Sequence, residues 1–122
     1  MIVAGFGFRS IATTESLRDA LARAAGSHEV AALCAPEDKA QAACLHGLAG
    51  LLGLPVRAIS AQALARCETP TRSPPALQRY GTGSVAEASA LVGAGAGAKL
   101  LSTRCISADG RATCALALGG LR

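Results

Sequence analysis

Short apolar runs alternate with amphipathic stretches through the first half of the chain. Residues 1–4 (Met-Ile-Val-Ala) predict a buried strand that ends at Gly5, residues 30–34 a second strand, and residues 56–59 a third. Between the first two, Leu17, Leu21 and Ala24 recur at helical spacing, with Thr13 or Thr14 placed to cap and Gly26 to stop a helix. Pro36, Glu37 and Asp38 then predict the start of the longest helix, since proline suits a first turn and acids suit the positive end of the dipole. Leu45, Leu48 and Leu52 would form its core stripe, Lys39 and His46 would share another face, and Gly53 with Pro55 would end it.

The second half is more broken. Ser60 predicts a cap for a short helix ending near Arg66, and residues 67–79, with Pro70, Pro74 and Pro75, read as a mobile loop. A further helix follows Ser84, and residues 93–97 read as a link of small residues. Residues 99–107 and 111–118 are strand-like and flank Asp109-Gly110, a strong hairpin signal. A two-residue turn there sets Ala108 against Arg111, Ile106 against Thr113 and Cys105 against Cys114. The order of elements predicts an α/β domain, a three-layer α/β/α sandwich around a mixed sheet ending in a C-terminal β-hairpin. In such sheets ligands lie beyond the carboxyl ends of the strands.

Two glycine-rich junctions change this picture from a plain scaffold to a candidate site. Gly5-Phe6-Gly7-Phe8-Arg9-Ser10 follows the first strand, and Tyr80-Gly81-Thr82-Gly83-Ser84 runs straight into a helix. A helix start presents unpaired N–H groups and the positive dipole end, which together hold anions. Ser84 and Glu87 also fit a capping box, which needs no ligand, so both readings of this pair stand. The chain's three aromatic residues, Phe6, Phe8 and Tyr80, lie in or beside the two junctions. At least one of the two phenylalanines belongs in the core if they alternate along a strand end.

Length and charge narrow the classes. The 122 residues suffice for one domain, residues 1–122, with a core of its own. A net charge of +4 favours an anionic partner, yet the basic residues, from Arg9 to Arg122, are scattered singly without a cluster, so nucleic acid is not expected. No secretory signal precedes the first strand, and the uncharged stretch 40–56 is interrupted by Gln41, His46, glycines and Pro55, so a cytoplasmic protein with no membrane span is expected. Five cysteines without a CxxC pair read as reduced thiols with no metal site. The Gly5 run is not GxGxxG, so no cofactor is assigned.

Taken together, residues 5–10, Lys39 after a strand-to-helix turn, Leu54-Pro55-Val56 entering a strand, residues 81–91 (Gly-Thr-Gly-Ser-Val-Ala-Glu-Ala-Ser-Ala-Leu) and Thr113-Cys114-Ala115-Leu116-Ala117 give the chain a family likeness. It resembles the CobE/CbiG C-terminal-domain family of cobalamin (vitamin B12) biosynthesis, in its free-standing, CobE-like form. The family often has a basic or cysteine residue where Phe8 stands, a second basic residue where Ser10 stands, an acid where Ala42 stands, and a lysine near Arg104. The resemblance implies a role in the corrin-ring pathway, with a precorrin intermediate as ligand and other corrin-pathway enzymes as partners. It leaves open binding of a carboxylate-rich precorrin or hydrogenobyrinic acid, or a hydrolase or isomerase acting on the ring as in CbiG-like lactone opening. In the enzyme reading Glu37 or Glu87 is the acid or base, and Arg9 or Lys39 stabilises charge. A sensor of a small anionic metabolite is a third reading. The expected binding residues are Gly5, Gly7, Phe8, Arg9, Ser10, Lys39, Tyr80, Gly81, Thr82, Gly83 and Ser84.

Overall fold

The computed structural model describes residues 1–119; Arg122, one of the scattered cations, lies outside them. Five strands form one mixed sheet in the order β3-β2-β1-β5-β4. β1 (Ile2–Phe8), β2 (Ala32–Pro36) and β3 (Val56–Ile59) run parallel, joined by α1 (Thr14–Ala25) and α2 (Ala43–Leu52). After β3 come α3 (Ala61–Arg66), α4 (Pro74–Tyr80) and α5 (Val85–Ala94), then the antiparallel pair β4 (Lys99–Ile106) and β5 (Ala112–Leu118). β5 inserts beside β1 as its antiparallel neighbour, so the two ends of the chain share the centre of the sheet.

Alternation along β1 sorts the two faces, as a period of two requires. Ala4 and Phe6 join Leu33, Ala35, Cys114 and Leu116 under Leu17 and Leu21 of α1 and Leu45 and Leu48 of α2. Val3 turns the other way, to Ala32, Cys34 and Ile59 under Leu64 of α3 and Ala88 of α5. The result is the expected α/β/α sandwich, and Phe6 is the core phenylalanine, fully buried. α1 begins at the Thr13 cap, whose hydroxyl accepts from Ser16 N, and stops at Gly26 in the positive-φ region.

Several boundaries depart from the sequence reading. The first strand does not end at Gly5 but continues through Gly7 to Phe8. Both glycines are strand residues because α5 crosses their face: a Cβ on Gly5 would run into the Ala86 carbonyl and the Ala90 amide. Pro36 closes β2, shifted two residues from the predicted 30–34, instead of opening a helix. Residues 37–42 form turns, with Lys39 N donating to Pro36 O and Ala42 N to Lys39 O, and the helix starts only at Ala43. Lys39 therefore shares no helical face with His46, and Leu52, at the end of α2, is exposed instead of core. The proline-broken segment is loop only to Ser73. Pro74 and Pro75 sit at the first helical positions of α4, where a missing N–H costs nothing. Gly93 belongs to α5, not to a linker, and a Cβ there would meet the Cys34 thiol.

Next to its turn the terminal hairpin keeps the predicted register, with Cys105 opposite Cys114 and Ile106 opposite Thr113, but Ala108 and Arg111 do not pair and the register shifts between Cys105 and Ser102 and again between Ser102 and Leu100. Its loop is longer than two residues: Ser107 N donates to Ala112 O, and Gly110, at φ 72°, completes the turn. The five cysteines are free thiols. Cys34, in the middle of β2 and not at its carboxyl end, has its pKa pushed up to about 11 by desolvation, which the nearby Arg57 only partly offsets.

Candidate functional site

Beyond the carboxyl end of β1 the rim opens into a groove of about 440 Å³. Its floor is Gly7 and Phe8 of β1 with Ala112 and Thr113 of β5, whose side chain donates to Gly7 O at 3.1 Å. One wall is α4, through Ser73, Pro75, Ala76, Arg79 and Tyr80. Arg104 and the hairpin tip at Gly110 and Arg111 form the other, and Arg9, Ser10, Lys39, Ser84 and Val85 complete the lining. Thus Arg9, Lys39, Arg79, Arg104 and Arg111 converge from five separate segments, while no carboxylate or imidazole lines the groove among the described residues.

Each cation is aimed by a local feature. Arg9 follows the last residue of β1, and its backbone N–H donates to Arg111 O at 3.0 Å, so the two arginines leave from adjacent backbone segments. Lys39 leaves the 37–42 turn and places its Nζ 5.3 Å from the Phe8 ring centroid, a cation–π contact. Arg79 and Tyr80 stand together on α4, the guanidinium 5.4 Å from the ring centroid. Asp38 anchors both: Arg79 donates to it at 2.9 Å, and the Tyr80 hydroxyl donates at 2.9 and 3.0 Å to its two oxygens. Desolvation raises the Asp38 pKa, but these donors and the Arg79 charge outweigh it and hold the carboxyl below its ordinary value.

The hairpin tip is fixed from behind. Asp109 accepts from Ser16 of α1, from Ser107 and from Arg111 N. The two serine hydroxyls, then the amide, draw its pKa down to about 2. Asp19 of α1 accepts from Ala108 N at 2.7 Å, tying the same loop a second time.

Of the expected binding residues, Gly7, Phe8, Arg9, Ser10, Lys39, Tyr80 and Ser84 line the groove. Gly5 lies under α5 and does not. Nor are residues 5–8 a loop with free N–H groups, since β1 pairs with β5 as far as Phe8. Gly81 is the left-handed cap of α4, and Thr82 and Gly83 are buried against the 67–73 segment, where Thr82 donates to Cys67 O and Gly83 O accepts from Ser73 N. Ser84 caps α5 by accepting from Glu87 N, but the capping box is only half made. The Glu87 side chain, fully buried, accepts instead from Thr71 N, Thr71 Oγ1 and Arg104 N at 2.6–3.0 Å. Glu87 therefore stitches the 67–73 segment and β4 to α5 from outside the groove. Glu37 is exposed and borders a second, smaller depression.

Sequence reasoning passed over Arg79, Arg111, Ser73 and Thr113. The signal available for Arg111 was its place just after Asp109-Gly110; what could not be read was the insertion of β5 beside β1, which carries that turn to the rim. The described residues contain no group of three or more His, Cys, Asp or Glu that could hold a metal ion, and no helix among them is long and apolar enough to cross a membrane.

Comparison with known proteins identifies the family and the fold. The sequence profile of the family described as cobalamin synthesis G C-terminus matches residues 2–117. The crystal structure of CobE, a protein from the cobalamin (vitamin B12) biosynthetic pathway, superposes with a TM-score of 0.83 at 35% identity, over 96% of this chain and 89% of that one. Cobalamin biosynthesis protein chiG from Agrobacterium tumefaciens gives 0.71 at 29% identity, over 98% of each. A putative cobalamin biosynthesis protein G homolog from Sulfolobus solfataricus shares the fold, at a TM-score of 0.67 and 20% identity, over 95% of this chain and 36% of that one. A search of curated sequences finds no match. With its profile matched from β1 to β5, the chain belongs to the cobalamin synthesis G C-terminus family and is a cobalamin biosynthesis protein.

Proposed function

We propose that the groove binds a carboxylate-rich corrin-ring intermediate, a precorrin or hydrogenobyrinic acid. The observation that carries this reading is the convergence of Arg9, Lys39, Arg79, Arg104 and Arg111 on a groove with two aromatic rings, Phe8 and Tyr80, and with no acid lining it among the described residues. A flat apolar ring fringed by carboxylates matches such a surface: guanidinium groups fork onto carboxylates, and ring faces take the macrocycle. The binding residues in this reading are Phe8, Arg9, Ser10, Lys39, Tyr80 and Ser84, joined by Arg79, Arg104 and Arg111. The acid–base candidates Glu37 and Glu87 stand outside the lining, so binding is favoured over hydrolysis or isomerisation.

Absorbance titration of the protein with hydrogenobyrinic acid and with precorrin intermediates tests it. Arg9→Ala and Lys39→Ala should each weaken binding about ten- to a hundred-fold, the loss of about 1.5–3 kcal/mol for a hydrogen bond to a charged group. Both side chains lie outside the core clusters, so melting temperatures should not move. Unchanged affinity in both variants rejects the reading.

A further inference from the structure

On the far side of Tyr80 lies a second depression of about 330 Å³, lined by Pro36, Glu37, Asp38, Ala61, Arg79 and Tyr80. It sits beyond the carboxyl end of β2, at the start of α3, and shares Arg79 and Tyr80 with the main groove. The two hollows are thus neighbours along one rim, with Arg79 and Tyr80 of α4 between them, clasped to Asp38. We infer that the two are halves of one binding slot, and that a whole tetrapyrrole occupies both by displacing the clasp that Asp38 makes with Tyr80 and Arg79. This rests on the ring-binding reading above.

Three observations carry it. The first is size: the main groove lies near the lower end of the roughly 300–1,000 Å³ that encloses a drug-sized ligand, and a ring of four pyrrole-derived units with its side chains is larger than that. The second is the attachment of α4. None of its residues is fully buried; Tyr80 only packs at the edge of the second core cluster, and the Asp38 contacts tie the same end to the 37–42 turn. Exposed ion pairs of this kind resist displacement weakly. The third is the chemistry of the lining. Pro36, Ala61 and the Tyr80 ring are apolar, while Glu37 and Asp38 would repel a carboxylate. The far hollow therefore takes part of the apolar face of the macrocycle, against Pro36, Ala61 and the Tyr80 ring, and the carboxylates turn toward the cations of the main groove or out to solvent. Released from Asp38, Arg79 stands at the junction and can fork onto a carboxylate there.

The test uses hydrogenobyrinic acid as a whole ring and a dipyrrole dicarboxylate as half of one. Ala61 is exposed at the first position of α3, so Ala61→Trp fills the far hollow without entering the core. It should weaken hydrogenobyrinic acid about tenfold or more and leave the dipyrrole unchanged, the mark of a blocked second half. Asp38→Asn, which loosens the clasp while keeping its shape, should speed association of the whole ring about two- to five-fold, the scale of an exposed ion pair, and not that of the dipyrrole. If Arg9→Ala weakens the whole ring but Ala61→Trp and Asp38→Asn change nothing, the ring is confined to the main groove and the two-hollow slot is wrong while the binding reading survives. If the whole ring ignores Arg9→Ala as well, or fails to bind the unaltered protein, both fall.

Discussion

At the scale of single residues, the site depends on two positions that touch no ligand. Gly5 lets α5 lie directly on β1, and that approach sets where Ser84 and Val85 enter the groove. Gly5→Ala would press a methyl group into the backbone of α5, which cannot move aside as a side-chain tip can. The expected cost is about 3 kcal/mol, the upper end for overpacking, read as a lower midpoint in urea unfolding. Glu87 is the second. Glu87→Ala leaves Thr71 N and Arg104 N without their acceptor; an unsatisfied buried donor costs about 1–3 kcal/mol, and because both donors are only part-buried a loss of about 1–3 kcal/mol in all is expected. Because Thr71 is let go at the same time, limited proteolysis should move to the 67–73 segment in this variant. A variant as stable as the parent and cut no faster there would show that Glu87 does not hold that segment.

At the scale of elements, the hairpin tip that carries Arg111 is the part whose pH response can be worked out. Asp109 has an ordinary carboxyl value of 3.8, drawn down to about 2 in the fold by Ser107, Ser16 and Arg111 N. A depressed pKa means that the stabilisation is fully present above the unfolded value and is lost as pH falls through the folded one. Unfolding midpoints followed from pH 5 to pH 2 should therefore fall between about 4 and 2, and Asp109→Asn should make that limb shallower. An unchanged limb in the variant would assign the acid sensitivity to other carboxylates. The hairpin was also the most legible element, because its turn residues and strand alternation are local and agree: Cys105 and Cys114 face each other as the spacing requires. The caps at Thr13, Ser60 and Ser84 were legible for the same reason. What misled were residues whose role is set by a distant partner. Gly5 and Gly7 read as a loop because the helix they make room for lies some eighty residues on. Pro36 read as a helix start, where the chain instead used it to end a strand. α4, short and without a buried face, left no apolar periodicity to find.

At the scale of the molecule, the rim is where positive charge gathers, although the sequence scatters it. The net charge is only +4; the acids Glu15, Asp19 and Asp109 are engaged behind the groove, on α1 and the hairpin loop, and Glu37 and Asp38 line the neighbouring depression and not the groove. That separation could not be read from the sequence, since Arg9, Lys39, Arg79, Arg104 and Arg111 meet only through the crossover of β5 to β1 and the return of α4 over the 37–42 turn. It makes the affinity for a polycarboxylate ring sensitive to salt. Arg9 and Arg111 are exposed, so their attraction acts through solvent, where the screening length falls from about 30 Å at 0.01 M to about 8 Å at 0.15 M salt. The dissociation constant for hydrogenobyrinic acid should therefore rise about tenfold or more across that range, with most of the change in the association rate, because steering over distance is what salt removes first. Arg9→Ala combined with Arg111→Ala should bind weakly at low salt and lose most of this dependence. Equal affinity for the unaltered protein at both salt concentrations would mean that the ring is held by its faces on Phe8 and Tyr80 and not by its carboxylates, and the charge-based part of the reading would fail.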